Sequence, residues 1–241
     1  MSRLSATTFR IHRWLGWIVG LQVLVWVLGG LVFAWLPFDG WVKARDTVQP
    51  PAVQLPAGWA QRVAPALQDL GAVTSVAAVA TPMGPALRVV PVDGAPRLLP
   101  ADGRAWVAPD AAAVQRFAAA MHKQQAPVRD VQRLAEAPRR LGLVDEVGGR
   151  RDLWRVRFDD ALGSRVYLDG ATGVLLAVRT EAWVWYDFLF RLHVMDYGGG
   201  EDFNSTLMRV ASTVAFGLVL AGTVLAVLAL QRRWRRHRAR A

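Results

Sequence analysis

Four histidines and two pairs of adjacent acids are the residues of this sequence best suited to chemistry. His12 lies one turn before a long apolar run. His193 ends the segment Trp183-Val-Trp-Tyr-Asp-Phe-Leu-Phe-Arg-Leu-His-Val-Met195. Imidazole suits iron, and an apolar shell around it tunes the metal's potential. His122, beside Lys123 in polar sequence, reads as a solvated surface residue, and His237, inside a cluster of arginines, as part of a basic tail. Asp145-Glu146 and Asp159-Asp160 are of the right type for acid/base carboxylates or a Ca²⁺ site. Each pair lies near turn glycines and reads more simply as solvated loop acids. No Gly-x-Ser-x-Gly, His-Glu-x-x-His or Gly-rich phosphate loop is present, so no catalytic residue for hydrolysis or group transfer emerges. The absence of cysteine excludes disulfides, thiolate metal sites, iron–sulfur clusters and covalent c-type haem.

The elements that must position these residues begin with two apolar runs. Trp14–Leu36 is 23 residues without a charge, with Gln22 its most polar side chain. At ~1.5 Å per residue such a helix crosses a hydrocarbon core of ~30 Å. A cleaved leader would have a shorter apolar core ending in a small-x-small site; this run ends Ala-Trp-Leu-Pro-Phe, so an uncleaved anchor is expected. Val210–Leu230 is a second run, 21 residues long, with recurring small residues such as Ala211, Ser212, Ala215 and Gly222 that admit a close neighbour helix. Asn204 or Ser205 can cap its first turn.

The net charge of +10 orients these spans. Residues 1–13 carry three arginines and residues 231–241 carry six, with no acid in either stretch, so nine of the ten excess charges sit in the tails. The charge therefore reads as a topology signal with both termini in the cytoplasm, and nucleic acid is not expected as a partner. The expected location is the bacterial inner membrane, with the central domain in the periplasm and the lipid bilayer as the first partner.

That central region reads as α+β. An extended, proline-bearing linker over 37–58 leads to a helix at Trp59–Leu70 and apolar runs at Val73–Ala80 and Ala86–Val92. A short strand follows at Arg97–Leu99. After residue 108 come a helix capped by Asp110, a polar stretch to Gly149, and strands at Leu153–Asp159, Arg165–Leu168 and Val174–Thr180. Trp154-Arg-Val-Arg-Phe158 alternates apolar and charged residues, as an antiparallel strand with one wet face does. The expected units are 59–108 and 109–180, each a helix on a small antiparallel sheet. Next comes a helix over 181–197 with an Asp187–Arg191 i, i+4 pair, lying in the membrane interface, then a Gly198–Gly200 joint. The second span occupies 206–230 and a basic tail 231–241.

Leu153-Trp-Arg-Val-Arg-Phe-Asp-Asp, with Arg165-Val-Tyr-Leu-Asp-Gly-Ala-Thr-Gly173-Val-Leu, resembles the hairpin of a PepSY domain. His12-Arg-Trp-Leu-Gly16 and Leu192-His-Val-Met-Asp-Tyr197 are similar to the flanks of PepSY-associated transmembrane proteins. The resemblance implies two transmembrane helices flanking a PepSY-like α+β periplasmic domain. It also implies two alternative roles. One is a non-catalytic module that binds or regulates an envelope protein. The other is a small oxidoreductase in which His12 and His193 bind haem b and pass electrons to a periplasmic ferric siderophore. The two histidines are expected at opposite faces of the bilayer, about 30 Å apart, so one haem cannot take both. A bis-histidine site would need a homodimer pairing each histidine with its symmetry mate, or His12 with His237 on the cytoplasmic side. The possible partners are a second copy or another membrane subunit.

Overall fold

The computed structural model describes residues 3–198 and 204–238. Gly199 and Gly200 of the expected joint, and the last residues of the basic tail, lie outside them. The chain divides into two compact units, one built from the two ends (1–35 and 187–241) and one from the middle (36–186).

In the first unit α1 runs Arg3–Trp35 and α5 runs Thr206–Arg238, each 33 residues. Within α1, Gly16–Trp35 is long and apolar enough to cross a membrane, and only 6% of it is buried in protein, as a lipid-facing helix requires. The described apolar stretch of α5 is Thr206–Leu220. Ser205 caps α5, its Oγ accepting from the Met208 N–H at 3.2 Å. The two long helices pack on each other.

The middle unit holds two antiparallel sheets. The first has strands β1 (Val73–Thr81), β2 (Gly84–Pro91) and β3 (Arg97–Pro100) in that order, with α2 (Trp59–Gln68) placing Val63 on Leu87 and Val89. The second has β4 (Val128–Glu136), β5 (Arg151–Phe158), β6 (Arg165–Asp169) and β7 (Leu175–Arg179) in sequence order. α3 (Ala111–Met121) covers it, capped by Asp110, whose Oδ1 accepts from the Ala113 N–H at 2.7 Å. Val114, Ala118 and Met121 of α3 pack on Trp154, Val156, Phe158, Val166 and Leu168. The period-2 alternation of β5 and β6 delivers these apolar side chains to one face.

Two expectations change here. The stretch before Gly149 is not plain loop: β4 occupies Val128–Glu136 and pairs with β5. Charged residues fill its exposed positions, so its amphipathic signal is weak. The linker is not free either. Val42, Ala44 and Val48 are buried, and Gln49 and Thr47 exchange backbone hydrogen bonds with Met121 and Lys123. Nor is it extended throughout: Phe38–Val42 winds into a short helical turn, Ala44 has a positive φ of 53°, and only at Val48 does the chain make an antiparallel bridge, to His122.

The two ends of the middle unit are tied together. Thr180 Oγ1 donates to the Trp41 carbonyl at 2.7 Å, and the rings of Phe38 and Tyr186 lie 5.1 Å apart. The two sheets also meet at a turn: Gly173 has φ +67°, and a Cβ there would lie 2.4 Å from Pro82 Cδ. Only glycine tolerates both the left-handed backbone and that approach. Gly173→Ala is therefore expected to destabilise the middle unit by about 2 kcal/mol or more, read as a lower midpoint of tryptophan-fluorescence unfolding of the full chain in detergent.

Candidate functional site

The best-satisfied polar cluster lies under the second sheet. Arg165 points from β6 to the face opposite α3, where the segment 137–149 covers the strands. Its Nε and Nη2 donate to Glu146 Oε1 at 3.0 and 2.7 Å. Nη2 also reaches the Thr180 carbonyl, and Nη1 reaches the Gly163 carbonyl and Glu181. Tyr167 donates its hydroxyl to Glu146 Oε2 at 2.8 Å, and Arg140 holds the other side of Glu181. The side chains of Arg165 and Glu146 are only 4% and 2% exposed. Burial pushes the Tyr167 hydroxyl pKa well above its usual value, and the Glu146 charge beside it acts the same way. Burial alone would raise the Glu181 carboxyl, but hydrogen bonds and charge from Arg165 and Arg140 outweigh it and hold the group below its usual value. Nε and both terminal nitrogens of Arg165 are engaged, as is the Tyr167 hydroxyl, so the cluster holds the sheet, its covering segment and the start of α4 (Glu181–Val194) together.

This overturns the reading of Asp145-Glu146 as solvated loop acids, since Glu146 is the core counter-ion of Arg165. Asp145 instead accepts from the Val147, Gly148 and Gly149 N–H groups and shapes the turn. His122 is likewise not on the surface. Its side chain is fully buried, its Nδ1 accepts from the Ala126 N–H at 3.2 Å, and its Nε2 lies 3.0 Å from Asp160 Oδ2. With Nδ1 accepting, Nε2 is the ring nitrogen that donates to Asp160. Burial tends to raise Asp160, but hydrogen bonds from Ser164 and His122 prevail and lower it. Sequence reasoning missed both pairs because each partner lies 19 to 38 residues away.

His12 and His193 belong to the first unit. His193 ends α4 beside α1, its ring centroid 6.0 Å from Trp26 and 6.2 Å from Phe33. Gly29 opens the space, since a Cβ there would lie 3.8 Å from His193 Nδ1. That Nδ1 is buried without a partner, as are Gln22 Nε2 and Trp26 Nε1. Gln22, Trp26, Gly29 and Phe33 follow the 4-3-4 spacing of one helix face. The Asp187–Arg191 pair expected on α4 is present at 2.6 Å. His12 is 17 residues from Gly29 on the same helix, about 26 Å along its axis. Among the described residues of this unit, His193 is the imidazole placed at the Gly29 notch. Among the described residues no three His, Asp or Glu side chains gather as a metal site.

Replacing Glu146 with alanine leaves the Arg165 charge buried and short of its partner, a loss of ~3–5 kcal/mol in comparable pairs. Asp102→Ala removes an exposed partner of Arg104 and should cost under ~1 kcal/mol. Paired denaturant titrations of the two variants check the contrast.

No curated protein and no solved structure matches the chain. A family model does, that of the PepSY-associated TM region, over residues 9–241. With an apolar helix near its N-terminus and two small antiparallel sheets beyond it, the chain belongs to the PepSY-associated transmembrane family and is a membrane protein.

Proposed function

We infer that this is a binding module anchored in the bacterial inner membrane, with both termini cytoplasmic, α5 as a second span, and the PepSY-like middle unit displayed in the periplasm to hold an envelope partner. The arginine-rich tails support the orientation. The tied ends of the middle unit suit a domain suspended between two helices.

The observation that carries the binding role is the free edge of β1. Folded proteins guard sheet edges with charge, proline or short length. Among the described residues, three of the four sheet edges do so. β3 has four residues, bracketed by Pro96 and Pro100, and β7 has five. β4 carries Arg129, Asp130, Arg133 and Glu136. β1 instead runs nine residues, Val-Thr-Ser-Val-Ala-Ala-Val-Ala-Thr, with no charge and with Val73–Ala78 all exposed. Its one irregularity is a register shift between Val73 and Ser75. Such an edge accepts an added strand, with backbone hydrogen bonds supplying affinity.

The chain has no cysteine, so Val76→Cys and Gln231→Cys each create a unique label site. In spheroplasts an impermeant maleimide should modify the first, and the second only after lysis. A photo-crosslinking residue at Val76 should give a discrete adduct in cells, while one at Arg129 on β4 should not. An adduct of twice the chain's mass would make the partner a second copy. Equal labelling of both sites ends the orientation reading; no adduct at Val76 ends the strand-addition reading.

The second reading, a haem-bearing oxidoreductase acting on a periplasmic ferric siderophore, draws on one observation: the partnerless His193 Nδ1 in its aromatic shell. Haem would supply one-electron transfer there; the chain's part is to present the imidazole and exclude water. Protein purified from haem-replete cells should then show a Soret band that shifts on reduction and weakens in His193→Ala. Colourless protein rejects this reading and leaves the binding role standing.

A further inference from the structure

Within the middle unit, a cavity of about 320 Å³ opens between the first sheet and the β6–β7 turn. Three arginines line it: Arg88 on β2, Arg97 at the start of β3, and Arg150 just before β5. Arg88 lies opposite Leu98 in the β2–β3 register and shares its face, whereas Arg97 lies opposite Val89 on the α2 face and borders the cavity from the edge strand, and Arg150 closes it from the segment before β5. All three side chains are exposed, and among the described residues none has a hydrogen bond or ion pair. Arg133, Arg140, Arg151, Arg157 and Arg165 of the same unit all have carboxylate partners.

The one carboxylate lining the cavity is Asp169, and it is engaged. Its Oδ1 accepts from the Thr172 N–H at 2.8 Å, the Thr172 hydroxyl at 2.6 Å and the Ala171 N–H at 3.2 Å. Asp69 and Asp93 line a neighbouring cavity that Arg97 also borders, and neither forms an ion pair with it. Outside the tails the chain is nearly neutral, so this is a local concentration of charge. Arg88 and Arg150 line the cavity with Arg97 at its border, and like charges bordering one space repel one another, a repulsion that an anion among them relieves. Guanidinium forks match the oxygens of carboxylate and phosphate groups. Leu98 and Val174 add apolar wall, and the volume falls at the lower end of small-molecule sites.

We propose that this cavity binds a small organic anion, its phosphate or carboxylate group held by Arg88, Arg97 and Arg150 and its apolar body lying against Leu98 and Val174. The inference is independent of strand addition at β1 and of haem at His193.

The test uses the full chain in phosphatidylcholine nanodiscs, titrated calorimetrically with phenyl phosphate and with inorganic phosphate. Phenyl phosphate should bind saturably, more tightly than inorganic phosphate and more weakly as salt rises. Arg88→Gln/Arg97→Gln/Arg150→Gln should weaken it at least tenfold with the unfolding midpoint unchanged. Should that triple variant misfold, Arg97→Lys, which keeps the charge and loses the fork, should still weaken binding several-fold. Adding phosphatidylglycerol identifies the source: competition marks a lipid headgroup as the ligand, and its absence marks a soluble anion. No saturable binding of phenyl phosphate, or an affinity untouched by the arginine substitutions, overturns the proposal.

Discussion

The middle unit depends on one buried charge. Arg165 sits on a central strand of the second sheet, pointing away from the α3 core into a space that water does not fill. A guanidinium there is tolerable only if its donors are matched, and Glu146, Glu181 and two carbonyls match them. The consequence is architectural. Glu146 lies in the segment that covers the sheet's second face, and Glu181 begins α4. One side chain thus fixes the cover, the sheet and the start of α4. Hydrophobic contact on this face is modest, Ala137 and Val147 against Leu153, Tyr167 and Ala177, so the polar cluster supplies most of the specificity.

The two sheets differ in how completely they are finished. The second is covered on both faces, and its edges are charged or short. The first has one helix, a long bare edge and unpaired arginines near its far strand. Stability therefore concentrates in the second sheet, leaving the first with the groups that a partner or ligand would engage. The same division holds within the membrane-associated unit. Most of α1 faces outward, while the Gln22–Trp26–Gly29–Phe33 face meets His193 and leaves three polar atoms unsatisfied.

Much of the element order was legible. Trp59, Val73, Gly84, Arg97, Asp110 and Arg165 all sit at or next to an observed boundary, because turn glycines, a capping aspartate and period-2 alternation are local signals. β4 was not legible, since Val-Arg-Asp-Val-Gln-Arg-Leu-Ala-Glu is an edge strand with charge on its open positions, and that charge disguises it as loop. The buried character of His122 and Glu146 was hidden for another reason. Polar residues are buried by partners, and Asp160 and Arg165 are distant in sequence.

By itself the sequence determined the membrane character, the charge asymmetry of the tails, the family and the α+β alternation, all of which follow from composition and short-range pattern. Only the tertiary structure decided which charges are buried and which are bare. It sent Arg165 inward to Glu146, left Arg88, Arg97 and Arg150 around one cavity, closed the proline-rich linker against α3 and exposed β1 over Val73–Ala78. Those outcomes depend on which strand neighbours which. Pairing is set by the summed burial of whole faces, a quantity that no local window of sequence contains.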